Sequence, residues 1–474
     1  MYDLMVESAR PPAGRIAVTS PYDGRHLDAA ATSGPGHVDD ALKTAYALFR
    51  DRSEWLSIPL RVKILSKAAS LIRSKLEELT LLAASEGGKP YVDSKVEVVR
   101  AIDGIHLCIE TLRGHPGSVI PLGTTKATTG RIAFTQKEPI GVVVAVSAFN
   151  HPLNLIVHQV GPAVASGCPV IVKPAEDTPL SCLRFVQILR EAGLPDEWCQ
   201  VVIADDNKTA EQLVTDDRVG FFSFIGSSRV GWMLRSKLAP GTRCSLEHGG
   251  AAPAVLAKPF DQTTAAAAIA KGGFYHAGQV CVSVQRVFAP ADEAEKFAKE
   301  LAKLAKKLVV GAPEEKGTDV GPLIRMREVD RVSKWVDEAV DAGAKLLCGG
   351  KKVSDSCYAP TVLLNPPDDA KVSTLEIFGP VVCVYAYDSL SAAVAQANSL
   401  PIAFQAAVFC KNIDVAQRLC RELDASAVMI NDHSAFRDDV MPFAGLRESG
   451  LGVGGIPYTM EDMQIDKMVV IKSG

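Results

Sequence analysis

From about Pro139 the chain alternates short apolar runs rich in β-branched residues with longer mixed segments, the pattern of a parallel sheet covered on both faces. Ile140 to Val146 predicts a buried strand, Pro152 to Ser166 a helix, and Pro169 to Lys173 the next strand. A helix over Pro179 to Glu191 is expected to stop at Ala192-Gly193-Leu194-Pro195, and Gln200 to Ile203 returns to the sheet. The unit repeats with a helix over Asn207 to Leu213, a strand over Gly220 to Phe224 and a helix over Ser228 to Lys237. After Glu247 a second series begins: strand Ala254 to Ala257, helix Gln262 to Ala270, strand Val282 to Ala289, then an Ala/Lys/Glu-rich helix from Glu293 to Leu308. The expected class is therefore α/β. Two stretches stand outside this rhythm. Arg131 to Gln136 and Met460 to Ile471 read as half-polar strands, the second with Met463, Ile465, Val469 and Ile471 at alternate positions, broken by Lys467. Such strands, detached from a core, either pair with another subunit or form mobile edge hairpins.

At 474 residues the chain exceeds a single core, and ordinary domain sizes give roughly two to four domains. The net charge of −4, with Lys and Arg spread among Asp and Glu, argues against a nucleic-acid surface. Met1-Tyr2-Asp3-Leu4-Met5 has no basic region followed by an apolar run, so no export signal is expected. The longest apolar stretches, Ile140 to Ala148 and Val160 to Val172, are interrupted by Gly, Pro or Ser and are too short for a bilayer. Eleven cysteines with no C-x-x-C pair suggest neither zinc ligands nor a disulfide framework. No metal is expected, and the expected compartment is the cytoplasm.

One cysteine has distinctive surroundings. In Gly278-Gln279-Val280-Cys281, preceded by Gly272-Gly273-Phe274, Cys281 stands at a sharp turn into a strand, where the backbone can be held open to a ligand. Upstream, Leu246-Glu247-His248-Gly249-Gly250 offers a carboxylate beside glycines that let another segment come close. A cysteine with a general base is the minimal equipment for covalent catalysis on a carbonyl; alone, the cysteine reads equally as a buried structural one. Ser147-Ala148-Phe149-Asn150-His151-Pro152 follows a buried strand, at the carboxyl end where α/β sheets bind ligands. There Asn150 either donates to an oxyanion, with the Cys281 N–H as second donor, or caps the next helix. Lys173-Pro174-Ala175-Glu176 ends the next strand and either holds a ribose or forms a surface ion pair. A carboxylate at a ribose 2′ position repels a 2′-phosphate and so favours NAD over NADP. Gly226 and Ser227, between a strand and a helix, present free N–H groups and a positive dipole end to a phosphate. Their segment is neither a G-x-G-x-x-G fingerprint nor a P-loop.

In order along the chain, Phe149-Asn150-His151-Pro152, Lys173-Pro174-Ala175-Glu176, Phe224-Ile225-Gly226-Ser227, Leu246-Glu247-His248-Gly249-Gly250, Gly278-Gln279-Val280-Cys281, Glu376-Ile377-Phe378-Gly379-Pro380 and Pro442-Phe443-Ala444-Gly445 resemble the aldehyde dehydrogenase superfamily, from Pro21 to the C-terminus. The resemblance implies a Rossmann-like cofactor domain over 1–117 and 137–246, and an α/β catalytic domain over 247–427. It also implies a small β oligomerisation arm and tail over 118–136 and 428–474. It makes Cys281 the nucleophile, Asn150 the oxyanion donor and Glu247 the base for deacylation. Lys173 and Glu176 become adenosine-ribose ligands, Gly226 and Ser227 pyrophosphate ligands, and Glu376 a nicotinamide-ribose ligand with Phe378 beside it on the cofactor. The expected cofactor is NAD, NADP being less favoured; the expected partners are a small aldehyde and further copies of the chain, as homodimer or homotetramer. Two departures stand out. Ala204-Asp205-Asp206-Asn207 replaces a frequent Gly-x-Gly, and Ser449-Gly450-Leu451-Gly452 runs into Val453-Gly454 where many members carry Arg-Glu, so a proton relay through that glutamate is absent.

His151 follows the oxyanion asparagine and His158 lies two helical turns further on, where many relatives place large apolar or aromatic side chains along the aldehyde tunnel. By similarity Arg437 falls at the tunnel mouth, and Arg113 is the second candidate cation. This set suits a short polar or anionic aldehyde, although either arginine also reads as structural. Phe436 to Met463 resembles the branch containing phosphonoacetaldehyde and lactaldehyde dehydrogenases. Val280 precedes the nucleophile where members taking phosphorylated or phosphonate aldehydes can carry Arg, which brings hydroxy- and sulfo-aldehydes into view. Two other classes remain open: a CoA-acylating semialdehyde dehydrogenase, which lacks the deacylating glutamate, and a non-catalytic relative, which would lose Cys281 or the ribose ligands. This chain retains them all.

Overall fold

Strand Val142–Val146 sends Val143 and Ala145 into one apolar cluster and Val142 and Val144 into another, so both faces of its sheet are buried. In the computed structural model, which describes residues 1–473, this strand is central to a six-stranded sheet. The order is Gly450–Leu451, Arg243–Glu247, Val219–Ile225, Val142–Val146, Val170–Lys173 and Cys199–Val201, parallel except for the first strand. Helices Ile58–Ser74, Tyr91–Gly114, Asn154–Ser166 and Leu180–Ala192 cover one face. Pro35–Arg50, Asn207–Thr215 and Ser228–Arg235 cover the other.

A second sheet of seven strands runs Lys345–Cys348, Thr361–Leu364, Val381–Tyr387, Val284–Pro290, Ala252–Leu256, Gln405–Phe409, Ala427–Ile430, antiparallel only at its first strand. Its core takes in apolar faces of Gln262–Phe274, Ala291–Ala305 and Met326–Asp341. The chain crosses between the two sheets within a few residues of Glu247, through Gly249 and Gly250.

The two half-polar segments pair with each other. Arg131–Pro139 and Gln464–Lys472 form an antiparallel ladder along their whole length, and Val119–Ile120 adds a short third strand. The Gln464–Lys472 strand lies at the edge of this sheet, with Met468, Val470 and Ile471 exposed. Residues 428–463, expected in the arm and tail, are distributed otherwise. Ala427–Ile430 closes the seven-stranded sheet, Gly450–Leu451 joins the other, and helix Ile456–Asp462 packs on Tyr91–Gly114 and Asn154–Ser166. Apolar residues such as Ile456, Met460 and Met463 are wholly buried there, which holds the segment to the first domain. No helix among the described residues is long and apolar enough to cross a membrane.

Candidate active site

Strand order in the six-stranded sheet reverses at Val142–Val146: the chain proceeds to Val170–Lys173 on one side and later returns to Val219–Ile225 on the other. A crevice opens at such a point, beyond the carboxyl ends of the strands. Here those ends carry Asn150, Lys173, Glu176, Gly226, Ser227 and Glu247. Facing them are residues just before strands of the second sheet: Gly249 before Ala252–Leu256, Cys281 before Val284–Pro290, Glu376 and Phe378 before Val381–Tyr387. Together they line one cavity of about 1300 Å³.

The segment around Cys281 is fixed by positive-φ backbone and by hydrogen bonds. Helix Gln262–Phe274 runs four residues past its expected end, and His276, Ala277 and Gly278 then adopt φ of 48°, 55° and 71°. Only glycine takes that conformation without cost, and a β-carbon on Gly278 would collide with the Gly379 carbonyl. The strand begins at Val284 rather than Val282, which leaves Cys281 in the turn. Buried Gln279 donates to the Pro322 carbonyl at 3.2 Å and accepts from the Ile324 N–H at 3.0 Å. Its own carbonyl accepts from Asn150 Nδ2 at 2.9 Å, which orients that amide and leaves its second hydrogen free. Glu97, ion-paired to buried Lys89, accepts from the N–H groups of Leu153 and Asn154 at 2.8 and 2.9 Å, anchoring the loop behind Asn150 at a helix N-terminus.

Burial pushes the Cys281 thiol well above its ordinary range, and the carboxylates of Glu376 and Glu247 add to this against the opposing pull of Arg437. The resting thiol is protonated. Glu247 is raised by burial to about 7, again with Arg437 opposing. It therefore titrates in the range where a general base is most effective. A β-carbon on Gly454 would collide with Glu247 Oε1, so this glycine makes room for the carboxylate.

At the other end of the cavity Lys173 Nζ lies 3.8 Å from Glu176 Oε1, the lysine mostly buried and the glutamate exposed at the rim. The residues fit a dinucleotide. Ser227 starts helix Ser228–Arg235 without capping it, so its first N–H groups remain open. Gly249 leaves a hollow that a β-carbon would fill against Glu376, whose Oε1 is buried without a partner and whose pKa burial raises to about 8. Phe378, at φ 47°, packs edge-on against Phe149 with centroids 5.8 Å apart, joining the Glu376 loop to the Asn150 loop.

The aldehyde end corrects part of the sequence reading. His151, His158 and Arg437 line the cavity, but Arg113 does not. It is exposed on the last turn of Tyr91–Gly114, about 20 Å along the helix from the cavity-lining Arg100 at 1.5 Å per residue. His151 Nε2 lies 3.0 Å from Tyr275 Oη, and His158 Nε2 lies 2.9 Å from Asp439 Oδ1, off the axis of a good hydrogen bond. Burial lowers both histidines, which serve as neutral polar groups rather than cations. Sequence reasoning missed Arg100, Asp439 and Tyr275. Val92, Val96 and Arg100 recur at every fourth position of one helix, a spacing that marks one face; the pairing of Arg100 with Asp439, so distant in sequence, leaves no local signal.

Two joined parallel sheets with a cysteine, a carboxylate and an amide between them, continuous with a dinucleotide-sized cleft, define a cysteine-dependent oxidoreductase. The chain belongs to the aldehyde dehydrogenase family, whose model matches residues 8–469. It is 36% identical over 469 residues to the 3-sulfolactaldehyde dehydrogenase of Priestia aryabhattai, covering 99% of this chain and 94% of that protein. Glyceraldehyde-3-phosphate dehydrogenase GapN of Methanocaldococcus jannaschii, solved with NADP, superposes with a TM-score of 0.92 at 33% identity, over 97% of this chain and 99% of that one. Aldehyde dehydrogenase 21 of Physcomitrella patens, solved with succinate, gives 0.93 at 31% identity, over 99% and 98%.

Proposed function

We infer that this chain oxidises a small polar or anionic aldehyde to the carboxylic acid through a thioester on Cys281, with NAD as cofactor. The observation that carries this reading is the convergence of Cys281, Glu247 and Asn150 on one end of a single cavity whose other end holds Lys173, Glu176 and Ser227. The Cys281 thiol first gives up its proton to solvent. Cys281 Sγ then bonds to the aldehyde carbon, and the carbonyl oxygen takes the charge, held by Asn150 Nδ2 and the Cys281 N–H. Bound nicotinamide would supply the hydride acceptor, since no side chain can. When the carbon loses its hydride the C=O bond reforms as a thioester. Glu247 next takes a proton from water, hydroxide adds to the thioester carbon, the C–S bond breaks and the acid leaves with the thiol restored. A buried base poised near 7 is of no use to a CoA-acylating enzyme, which argues against that alternative.

Cys281→Ala should abolish turnover yet still bind NAD, measured by calorimetry. Glu247→Gln should give one equivalent of NADH per site in a rapid burst and then stall; steady turnover by either variant would sink the scheme.

Three features support the particular substrate and cofactor. Neutral His151 and His158 offer hydrogen bonds where a fatty chain would need apolar walls, Arg437 supplies a cation, and the 36% identical relative is a sulfolactaldehyde dehydrogenase. Glu176 at the rim favours NAD, because its charge opposes a 2′-phosphate. Glu176→Ser should narrow the NAD over NADP ratio of kcat/KM by roughly tenfold; an unchanged ratio would mean that Glu176 does not face the ribose. All eleven cysteines are unpaired, in keeping with a reducing compartment such as the cytoplasm.

A further inference from the structure

Charges from three separate parts of the chain meet at the aldehyde end of the cavity. Arg100 comes from helix Tyr91–Gly114, His158 from helix Asn154–Ser166, and Arg437 and Asp439 from the loop after Ala427–Ile430. Their bonding is unequal. Arg100 donates from Nη2 to Asp439 Oδ1 and from Nε to Oδ2 at 3.3 Å, a two-pronged ion pair in which the carboxylate is 4% exposed. His158 Nε2, at 2.9 Å from the same Oδ1, adds a polar neighbour without charge. Burial opposes it, but the ion pair with Arg100 holds Asp439 below the ordinary carboxylate range, so it stays anionic and the charge of Arg100 is cancelled.

Arg437 is differently placed. Its Nη1 donates to the Met441 carbonyl at 2.6 Å, its guanidinium lies 4.5 Å from the Phe443 ring centre, and its Nη2 is buried with no partner. No carboxylate hydrogen-bonds to it among the described residues. Lys271 also lines the cavity but is exposed, and Asp93 lies near it and Lys89. The charges here are thus the two guanidiniums and permanently anionic Asp439, with Glu247 near Arg437 ionising only toward neutral pH and Glu97 near Arg100 already paired to Lys89; one guanidinium nitrogen is unsatisfied.

We propose that this pocket is charge-matched to an aldehyde with a monoanionic tail, sulfonate or carboxylate, and that Asp439, by occupying Arg100, excludes dianionic phosphonate or phosphate tails. The proposal rests on the anionic-aldehyde reading above. A dianion desolvated against one free cation leaves an uncompensated buried charge, which costs more than the extra attraction returns. Removing the Asp439 charge releases Arg100 and supplies the second cation.

The test is kcat/KM for sulfoacetaldehyde, phosphonoacetaldehyde and propanal, each with NAD, at several pH values. Wild type should prefer the sulfonate at least tenfold over the phosphonate when the latter is doubly ionised. That preference should shrink as pH falls through the phosphonate's second ionisation, because the tail then becomes a monoanion. Asp439→Asn should shift the phosphonate to sulfonate ratio at least tenfold toward the phosphonate. If this variant fails to fold, the wild-type pH dependence decides alone. Equal use of both anions at all pH values, or a ratio unmoved in Asp439→Asn, overturns the proposal and leaves the anionic reading intact. Preference for propanal over both anions would instead overturn the reading on which it rests.

Discussion

Cys281 and Glu247 share one electrostatic problem, since both are desolvated beside the cavity and the Glu247 carboxylate adds to the cost of ionising Cys281. Arg437 is the cation that acts on both, opposing the upward shift of each. The consequence for rate is directional. Because Glu247 holds its proton up to about 7, the fraction able to activate water falls as pH drops below that value. The steady-state rate should lose about tenfold per pH unit on the acid side if deacylation limits turnover. The burst, which reports hydride transfer, should depend on pH differently. Stopped-flow measurement of both from pH 5.5 to 9 checks this; a flat steady-state profile would mean that hydrolysis does not wait on Glu247. That Cys281 and Glu247 share one cavity was legible in the glycine-marked turns beside their strand ends, and that Asn150 joins them was legible in its place just after a buried strand. Arg100 was not legible, for its pairing depends on Asp439 in a distant loop and leaves no local signal.

Among elements, the strands and helices between Ile140 and Lys237 follow the expected order, since strands buried on both faces write nearly unbroken apolar runs. Boundaries slipped where tertiary contacts overrode local pattern: helix Gln262–Phe274 continues through Gly272 and Gly273, where a β-carbon would meet His433 and Val382. The resemblance implies arm and tail over 428–474, yet the segment from Phe436 to Met463 delivers Arg437, Asp439 and Gly454 to the site. The half-polar strands were recognised as a pair of exceptions, but their mutual ladder was not foreseen. We propose that the outer edge of Gln464–Lys472 is extended by another copy of the chain, because a nine-residue strand paired on one side only, with exposed Met468 and Val470, forms a ready template. Val470→Asp, exposed and therefore harmless to the fold, should lower the oligomer mass measured by light scattering. An unchanged mass would place the interface elsewhere.

For the whole molecule, the site is a cost to stability that depends on pH. Glu247 has its pKa raised from 4.5 to about 7 in the folded chain, so folding favours its neutral form. That contribution is complete below about 4.5, where both folded and unfolded chains hold the proton. It is lost as pH rises toward 7, because the unfolded chain ionises first and the folded chain must then bury a charge. At about 1.4 kcal/mol per pH unit the group should cost roughly 2–3 kcal/mol between pH 5 and pH 8. Glutamine occupies the same space and cannot ionise. Glu247→Gln should therefore change Tm little at pH 5 and raise it at pH 8, by a few degrees in a chain of this size. Scanning calorimetry of the cofactor-free protein at the two pH values, with matched scan rates, reads the difference directly. A stabilisation of equal size at both would show that Glu247 is already ionised at pH 5, and the burial argument for its role as base would fail with it.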